Sequence, residues 1–357
     1  MPAYDPARTY DWNYEHAPDP ASVPLVDVPG QWSFCGLPAA SPLGMPAGPL
    51  LNGRWVLYYA SLGFDVLTYK TVRSVERACY PLPNLLPVKT GSLSGGELEV
   101  PVADAMLGSW AVSFGMPSKS PEVWRTDIEA TRRKLAKSKI LSVSVVGTVQ
   151  PSWTLDDLAD DYARCAQWAV DAGADAVETN FSCPNVSTCD GQLYQETHAA
   201  AVVAERVCDA VGSVPFIIKI GHLTDRRQAD ALLDAVGPFV SGIAMTNSVA
   251  ATIRAADGSF YFDGEKRGIC GAATRPASLS QTRLFAEAIA ERDLAIDVIG
   301  VGGAATAEHV REYLAAGASH VQIATAAMVD PRVALQIRQE LAAGHETRAS
   351  VVRFSHR

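Results

Sequence analysis

At 357 residues the chain is long for one average domain but ordinary for an α/β barrel carrying insertions. With 48% hydrophobic and 19% charged residues it has apolar material for a large core, which excludes a chain that stays unfolded for lack of one. A formal net charge of −9, with no basic run longer than the mixed stretch Arg132 to Lys139, argues against a nucleic-acid partner.

The first thirty residues, rich in Pro, Asp and Tyr, show neither a basic segment leading into an apolar one nor a spanning stretch, so neither secretion nor a membrane anchor is expected. From about Met45 onward, short apolar and β-branched runs alternate with helical patterns, the mark of parallel strands joined by crossover helices. The strand candidates in chain order are Leu43–Ala47, Asp65–Lys70, Leu141–Val146, Ala176–Asn180, Phe216–Ile220, Gly242–Thr246, Asp297–Val301 and His320–Ala324. Their continuous apolar reading implies burial on both faces, as in a (β/α)8 TIM barrel sheathed in helices. The expected division is an N-terminal extension over 1–40, the barrel over 41–345 and a C-terminal tail over 346–357. Thr154 caps a helix with Leu158, Tyr162, Cys165 and Ala169 on one face and Gly173 beyond its end. Val203, Val207, Cys208 and Val211 form another inward stripe, and Asp330-Pro331 opens a last helix that Gly344 is expected to stop. Two stretches exceed a minimal barrel: a Pro- and Gly-rich insertion from Thr71 to Arg125, and the segment Asn185 to Gln195, which could form a lid.

Barrel chemistry gathers where strands end, so the polar residue closing each apolar run is informative. The second strand ends in Tyr69-Lys70-Thr71, the fourth in Glu178-Thr179-Asn180, the fifth in Lys219 and the sixth in Thr246-Asn247-Ser248. Buried ammonium groups at Lys70 and Lys219 are costly unless an anion or electron-rich ring meets them. Gly300-Val301-Gly302-Gly303 and Ala324-Thr325 fall in the seventh and eighth βα loops, which form the usual phosphate cup of barrels. The seven cysteines include no Cys-x-x-Cys pair, which argues against zinc, an iron–sulfur cluster or a disulfide framework and points to a reducing cytoplasm. Cys165 and Cys208 read as packing, Cys189 as incidental and Cys270 as the filler of a tight glycine turn. Cys183, just past a strand end and flanked by Asn180, Ser182, Pro184 and Asn185, reads instead as a general base or nucleophile.

Glu178 to Asn185 resembles the active-site motif of class 1 dihydroorotate dehydrogenases, in which a loop cysteine is the base; class 2 members carry serine there. The similarity runs from about Ser41 to Met328, with its motifs in family order. Ser41 to Gly48 resembles the first-strand flavin segment, Tyr69-Lys70-Thr71 the second-strand lysine motif, and Ser113-Phe114-Gly115-Met116-Pro117 the substrate-side loop. Ile218-Lys219-Ile220, Thr246-Asn247-Ser248, Gly268 to Gly271, Gly300 to Gly303 and Ala324-Thr325 complete it. Thr246 to Val249 and Arg275-Pro276 are also similar to the flavin domain of dihydropyrimidine dehydrogenase.

The resemblance implies FMN held by Ala47, Gly48, Lys70, Thr71, Asn180, Lys219, Gly271, Gly302, Gly303, Ala324 and Thr325. It implies substrate contacts from Lys70, Ser113, Gly115, Met116, Asn180, Asn185, Asn247 and Ser248, and catalysis by Cys183 and Lys70 on dihydroorotate or a similar cyclic amide. No metal, membrane or nucleic acid is implied; a homodimer is compatible, and the redox partner is not specified. The sequence departs from the family at Val112, where class 1 members carry asparagine, at Val186 to Gly191 after the motif, and at Ala324, where the family has glycine. Two other readings stay open: a relative turned to another cyclic carbonyl compound in either redox direction, and a non-redox barrel binding a phosphorylated ligand.

Overall fold

The computed structural model describes residues 4–96, 99–182 and 192–354, with side chains as far as Gly344. Eight parallel strands close into a barrel: β1 (Leu43–Met45), β2 (Val66–Val72), β3 (Ile140–Val145), β4 (Ala176–Asn180), β5 (Phe216–Lys219), β6 (Gly242–Met245), β7 (Asp297–Val301) and β8 (His320–Gln322). Each falls on an expected strand, because β-branched runs buried on both faces have no competing helical period. The seam is the parallel pairing of Val321 with Leu43 and Gln322 with Gly44.

A helix follows each strand: α1 (Gly53–Ser61), α2 (Pro121–Lys134), α3 (Leu155–Asp171), α4 (Thr197–Val211), α5 (Arg226–Val236), α6 (Arg275–Glu291), α7 (Ala307–Ala315) and α8 (Val333–Phe354). In α3 the Thr154 side chain and Asp157 form a reciprocal capping box, and Leu158, Tyr162, Cys165 and Ala169 are buried as the sequence implies. Val203, Val207 and Val211 of α4 are fully buried, while Cys208 is only half-buried against the same core.

Asp330 does introduce α8, its carboxylate accepting the Arg332 N–H at 3.0 Å. Gly344 does not stop that helix, which continues to Phe354. An interior glycine weakens a helix by about 1 kcal/mol, and a glycine C-cap acts through a left-handed conformation that Gly344 does not adopt.

The N-terminal end of the barrel is plugged by a hairpin, Trp32–Phe34 against Leu37–Ala39. Phe34 packs there against Val66, Ile140, Ala176, Ile217, Ala244 and Ile299, one inward layer of the strands. The C-terminal end carries a second sheet, unforeseen from sequence, in the order Leu85–Pro87, Ser109–Val112, Arg267–Gly271, Val249–Arg254, Glu99–Pro101. The insertion after β2 contributes three of its strands and the segment after β6 the other two, with a separate small core around Val100, Ala111, Val249, Ile253 and Ile269. Strands of three to six residues interrupted by Gly and Pro give no readable alternation, which is why the insertion reads as irregular.

Asp65, 1% exposed, ties the ends of the chain together. Its carboxylate meets Arg338 of α8 at 2.7 Å and Lys139 at 2.6 Å, and Arg338 also donates to the carbonyls of Val26 and Gly63. Removing one member of a buried ion cluster strands the others, so Asp65→Ala is expected to destabilise the fold by roughly 3–5 kcal/mol. Urea unfolding should show a lower midpoint with an unchanged slope; a loss below about 1 kcal/mol would mean that the cluster is dispensable.

Candidate active site

Because all eight strands run the same way, their C-terminal ends share one mouth. A cavity of about 310 Å³ opens there, between the barrel and the second sheet, at the lower end of the range for small-molecule sites. Ala47 and Gly48 after β1, Lys70 and Thr71 of β2, Asn180 of β4 and Lys219 of β5 line it. Asn247 and Ser248 after β6, Gly271 at the end of a second-sheet strand between β6 and β7, Gly302 and Gly303 after β7, and Ala324 and Thr325 after β8 also line it. Gly115 and Met116 come from the insertion.

Ser113 does not join them. It is buried behind the cavity wall, its hydroxyl accepting from Arg267 Nε at 3.0 Å and its carbonyl from Asn84 at 2.8 Å. Its neighbour Val112 lines the cavity instead, as strand alternation requires. Cys183 and Asn185 lie outside the described residues, as do Cys189 and most of the expected lid, whereas Asn180 and Ser182, which lead into that loop, line the cavity.

Further residues of the wall were not expected from sequence: Leu85, Trp110 and Phe114 from the second sheet and its loop, Thr274, Met328 and Cys270. Cys270 sits on a sheet strand with its thiol 3.6 Å from the Asn247 carbonyl, rather than filling a glycine turn. The strand is invisible in sequence because Gly268 and Gly271 bracket it. Burial lifts the Cys270 thiol to about 11, against the opposing charge of Lys219.

Lys70 and Lys219 are 7% and 6% exposed, and neither side chain has a hydrogen bond or ion pair among the described residues. Burial lowers the Lys70 ammonium to about 8; the charges of Lys219 and Arg73 add to this, and the nearby Cys79 thiol opposes it. Beneath Lys219, burial raises the Glu178 carboxyl above the usual range, with Lys219 and the Ser144 hydroxyl opposing. Asn180 is held from two sides: its amide donates to Met116 Sδ at 3.3 Å and its carbonyl oxygen accepts the Ser182 N–H at 3.1 Å. Arg73, buried, holds Met116 in turn by donating to its carbonyl at 3.3 Å.

The glycine cup is fixed from behind. Ser278 donates to the Val301 carbonyl at 2.7 Å, Tyr313 to Gly302 at 2.5 Å and Thr274 to Gly271 at 2.8 Å. With these carbonyls committed to the protein, the turns have backbone N–H groups to offer an anion. Gly271 has φ +101°, and a Cβ there would meet the Gly108 carbonyl oxygen at 2.2 Å; a Cβ on Gly303 would meet the Gly271 carbonyl oxygen at 2.6 Å.

Two cationic side chains, amide and hydroxyl groups and a glycine cup, all converging on an apolar-walled cavity at the strand ends, define a barrel enzyme. A family model described as "Dihydroorotate dehydrogenase" matches residues 31–344. The chain is 32% identical over 358 aligned residues to the dihydroorotate dehydrogenase of Dictyostelium discoideum, covering 94% of this chain and 96% of that one. It is 26% identical over 322 residues to the catalytic subunit of dihydroorotate dehydrogenase B (NAD(+)) of Desulforudis audaxviator, covering 87% and 90%. Over 189 residues, 52% of this chain and 51% of the relative, it is 35% identical to a dihydroorotate dehydrogenase (quinone) of Halobacterium salinarum. The chain belongs to the dihydroorotate dehydrogenase family and is an oxidoreductase acting on a CH–CH bond, which removes the reading as a non-redox phosphate-binding barrel.

Gly271→Ala is expected to destabilise the protein by roughly 2–4 kcal/mol, since it adds both a clash and an unfavourable φ. Gly91→Ala, at a site with nothing within 4 Å, serves as the control. Equal thermal midpoints for the two variants would show that the cup yields without strain.

Proposed function

We propose that this protein oxidises dihydroorotate, or a closely similar cyclic amide, with FMN as the hydride acceptor. The observation that carries the reading is the pair of buried ammonium groups, without a hydrogen bond or ion pair among the described residues, facing one cavity that a glycine cup also lines. The residues fit FMN: the cup formed by Gly271, Gly302 and Gly303 excludes side chains where a phosphate would need backbone N–H groups, and Thr325 adds a hydroxyl at the cavity. Lys70 and Lys219, which line the same cavity, would supply positive charge to an electron-rich ring held there.

When bound, FMN supplies the electron-pair acceptor of the reaction. The chain's own residues do the rest. The Cys183 thiolate takes the proton from the ring carbon next to a carbonyl, while the neighbouring carbon loses its hydrogen with both bonding electrons; the ring gains a C=C bond and the thiolate becomes a thiol. Asn180, Asn185, Asn247 and Ser248 offer donors and acceptors to the amide edges of the substrate. Lys70, charged, attracts the substrate carboxylate and offsets negative charge as the proton leaves. Leu85, Trp110, Val112 and Phe114 roof the cavity with apolar surface, which limits water at the reacting carbons.

The two relatives named with an acceptor carry different ones, NAD(+) and quinone, so family membership assigns neither to this chain. Among the described residues no helix is long and apolar enough to cross a membrane. A reducing cytoplasm suits a chain that uses Cys183 as a thiolate.

Anaerobic mixing with dihydroorotate should bleach the flavin absorbance of the purified protein. Cys183→Ser should keep the flavin while slowing that bleaching by about 10²–10⁴-fold, the usual worth of a positioned base. Bleaching at the wild-type rate would remove Cys183 from its role.

A second test uses pH. An ammonium is charged below its pKa, so affinity for orotate should be full below pH 8 and decline as pH rises past about 8, where Lys70 loses its proton. Lys70→Met should bind weakly with little change across that range; an identical decline in the variant would assign the effect to another group.

A further inference from the structure

We infer that Glu178 is a positioning residue which, acting through the Lys219 ammonium, sets how strongly the site favours the reduced cofactor. The inference rests on the FMN reading above. It begins with a buried acid that the proposed chemistry does not use: Glu178 is 2% exposed and does not line the cavity, and its Oε1 has no hydrogen-bond partner among the described residues.

Strand geometry places it. Inward-facing positions alternate along β4, so Glu178 sits two residues below Asn180, which lines the cavity, and two above Ala176 of the lower core layer. On the adjacent strand β5, Ile217 stands opposite Glu178 and Lys219 opposite Asn180. The Glu178 carboxyl is therefore one inward layer below the Lys219 ammonium, close enough that the lysine is the largest influence opposing its neutralisation by burial. On its other flank, Ser144 of β3 stands opposite Glu178, and the Ser144 hydroxyl is 3.0 Å from that of Thr71, which lines the cavity.

A buried carboxyl with one oxygen left without a partner among the described residues costs stability, and an apolar side chain would fill the layer more cheaply. Its effect lies in charge. The cavity wall has two ammonium groups and no acidic side chain among the described residues. A negative Glu178 under Lys219 offsets part of the positive field that a newly arrived electron pair would feel. Without it the field is stronger and the reduced cofactor is held more tightly relative to the oxidised one.

The test is a reductive titration of the FMN-loaded protein against reference dyes of known potential, for wild type, Glu178→Gln and Glu178→Asp. Glu178→Gln is expected to raise the ratio of reduced to oxidised cofactor at a fixed potential about tenfold, an increase of about 30 mV for a two-electron couple. Glu178→Asp, which keeps the charge, should stay near wild type. A midpoint in Glu178→Gln equal to wild type, or an equal shift in both variants, overturns the inference and leaves the FMN reading standing. Wild-type protein that takes up no FMN defeats that reading instead. Should Glu178→Gln fail to fold, a redox-induced infrared difference spectrum of wild type with carbon-13 glutamate carboxyls decides. An isotope-sensitive carboxylate band that moves on reduction supports the inference, and its absence overturns it.

Discussion

The pairing of β8 with β1 is the constraint from which the site follows. Closing a parallel sheet on itself satisfies every strand edge and puts all eight C-terminal ends in one ring. Residues as distant in sequence as Ala47 and Thr325 thereby become neighbours around one cavity, with no long-range loop needed to bring them together. The Asp65 cluster reinforces the same closure from outside, because Arg338 reaches from the last helix to the carbonyls of Val26 and Gly63 near the start.

What is legible in sequence follows from this periodicity. All eight strands announce themselves, since burial on both faces demands continuous apolar runs, and the polar residues that end them are the ones that meet at the mouth. Lys70, Asn180, Lys219 and Asn247 stand out for that reason. The roof is harder to read. Leu85 and Trp110 belong to short strands that pair with each other, and only the pairing of Ser109–Val112 with Arg267–Gly271, more than a hundred residues away, gives them a fixed place. Ser113 shows the same difficulty at the scale of one residue. Strand alternation turns it to Arg267 and turns Val112 to the cavity, and a motif match does not carry that information.

The electrostatics of the mouth form a graded system rather than a set of separate charges. Lys70 and Lys219 are buried near each other, and the charge of Lys219 disfavours that of Lys70. Glu178 lies below one of them, and Arg73 near the other is engaged by the carbonyls of Met116 and Gly147. An anionic guest relieves this arrangement, so binding and charge balance are one event, and affinity is drawn from repulsion already present in the folded chain.

The second sheet has a separate small core and is assembled from two excursions of the chain, one after β2 and one after β6. The outer face of that sheet therefore has a core of its own, while Leu85 and Trp110 on its cavity side pack with the barrel core. Substitutions at Val112, Phe114 or Leu85 can reshape the space over a guest while the strand-end lysines and the glycine turns keep their places. A lineage that inherits this architecture can thus change what it accepts without rebuilding how it reacts.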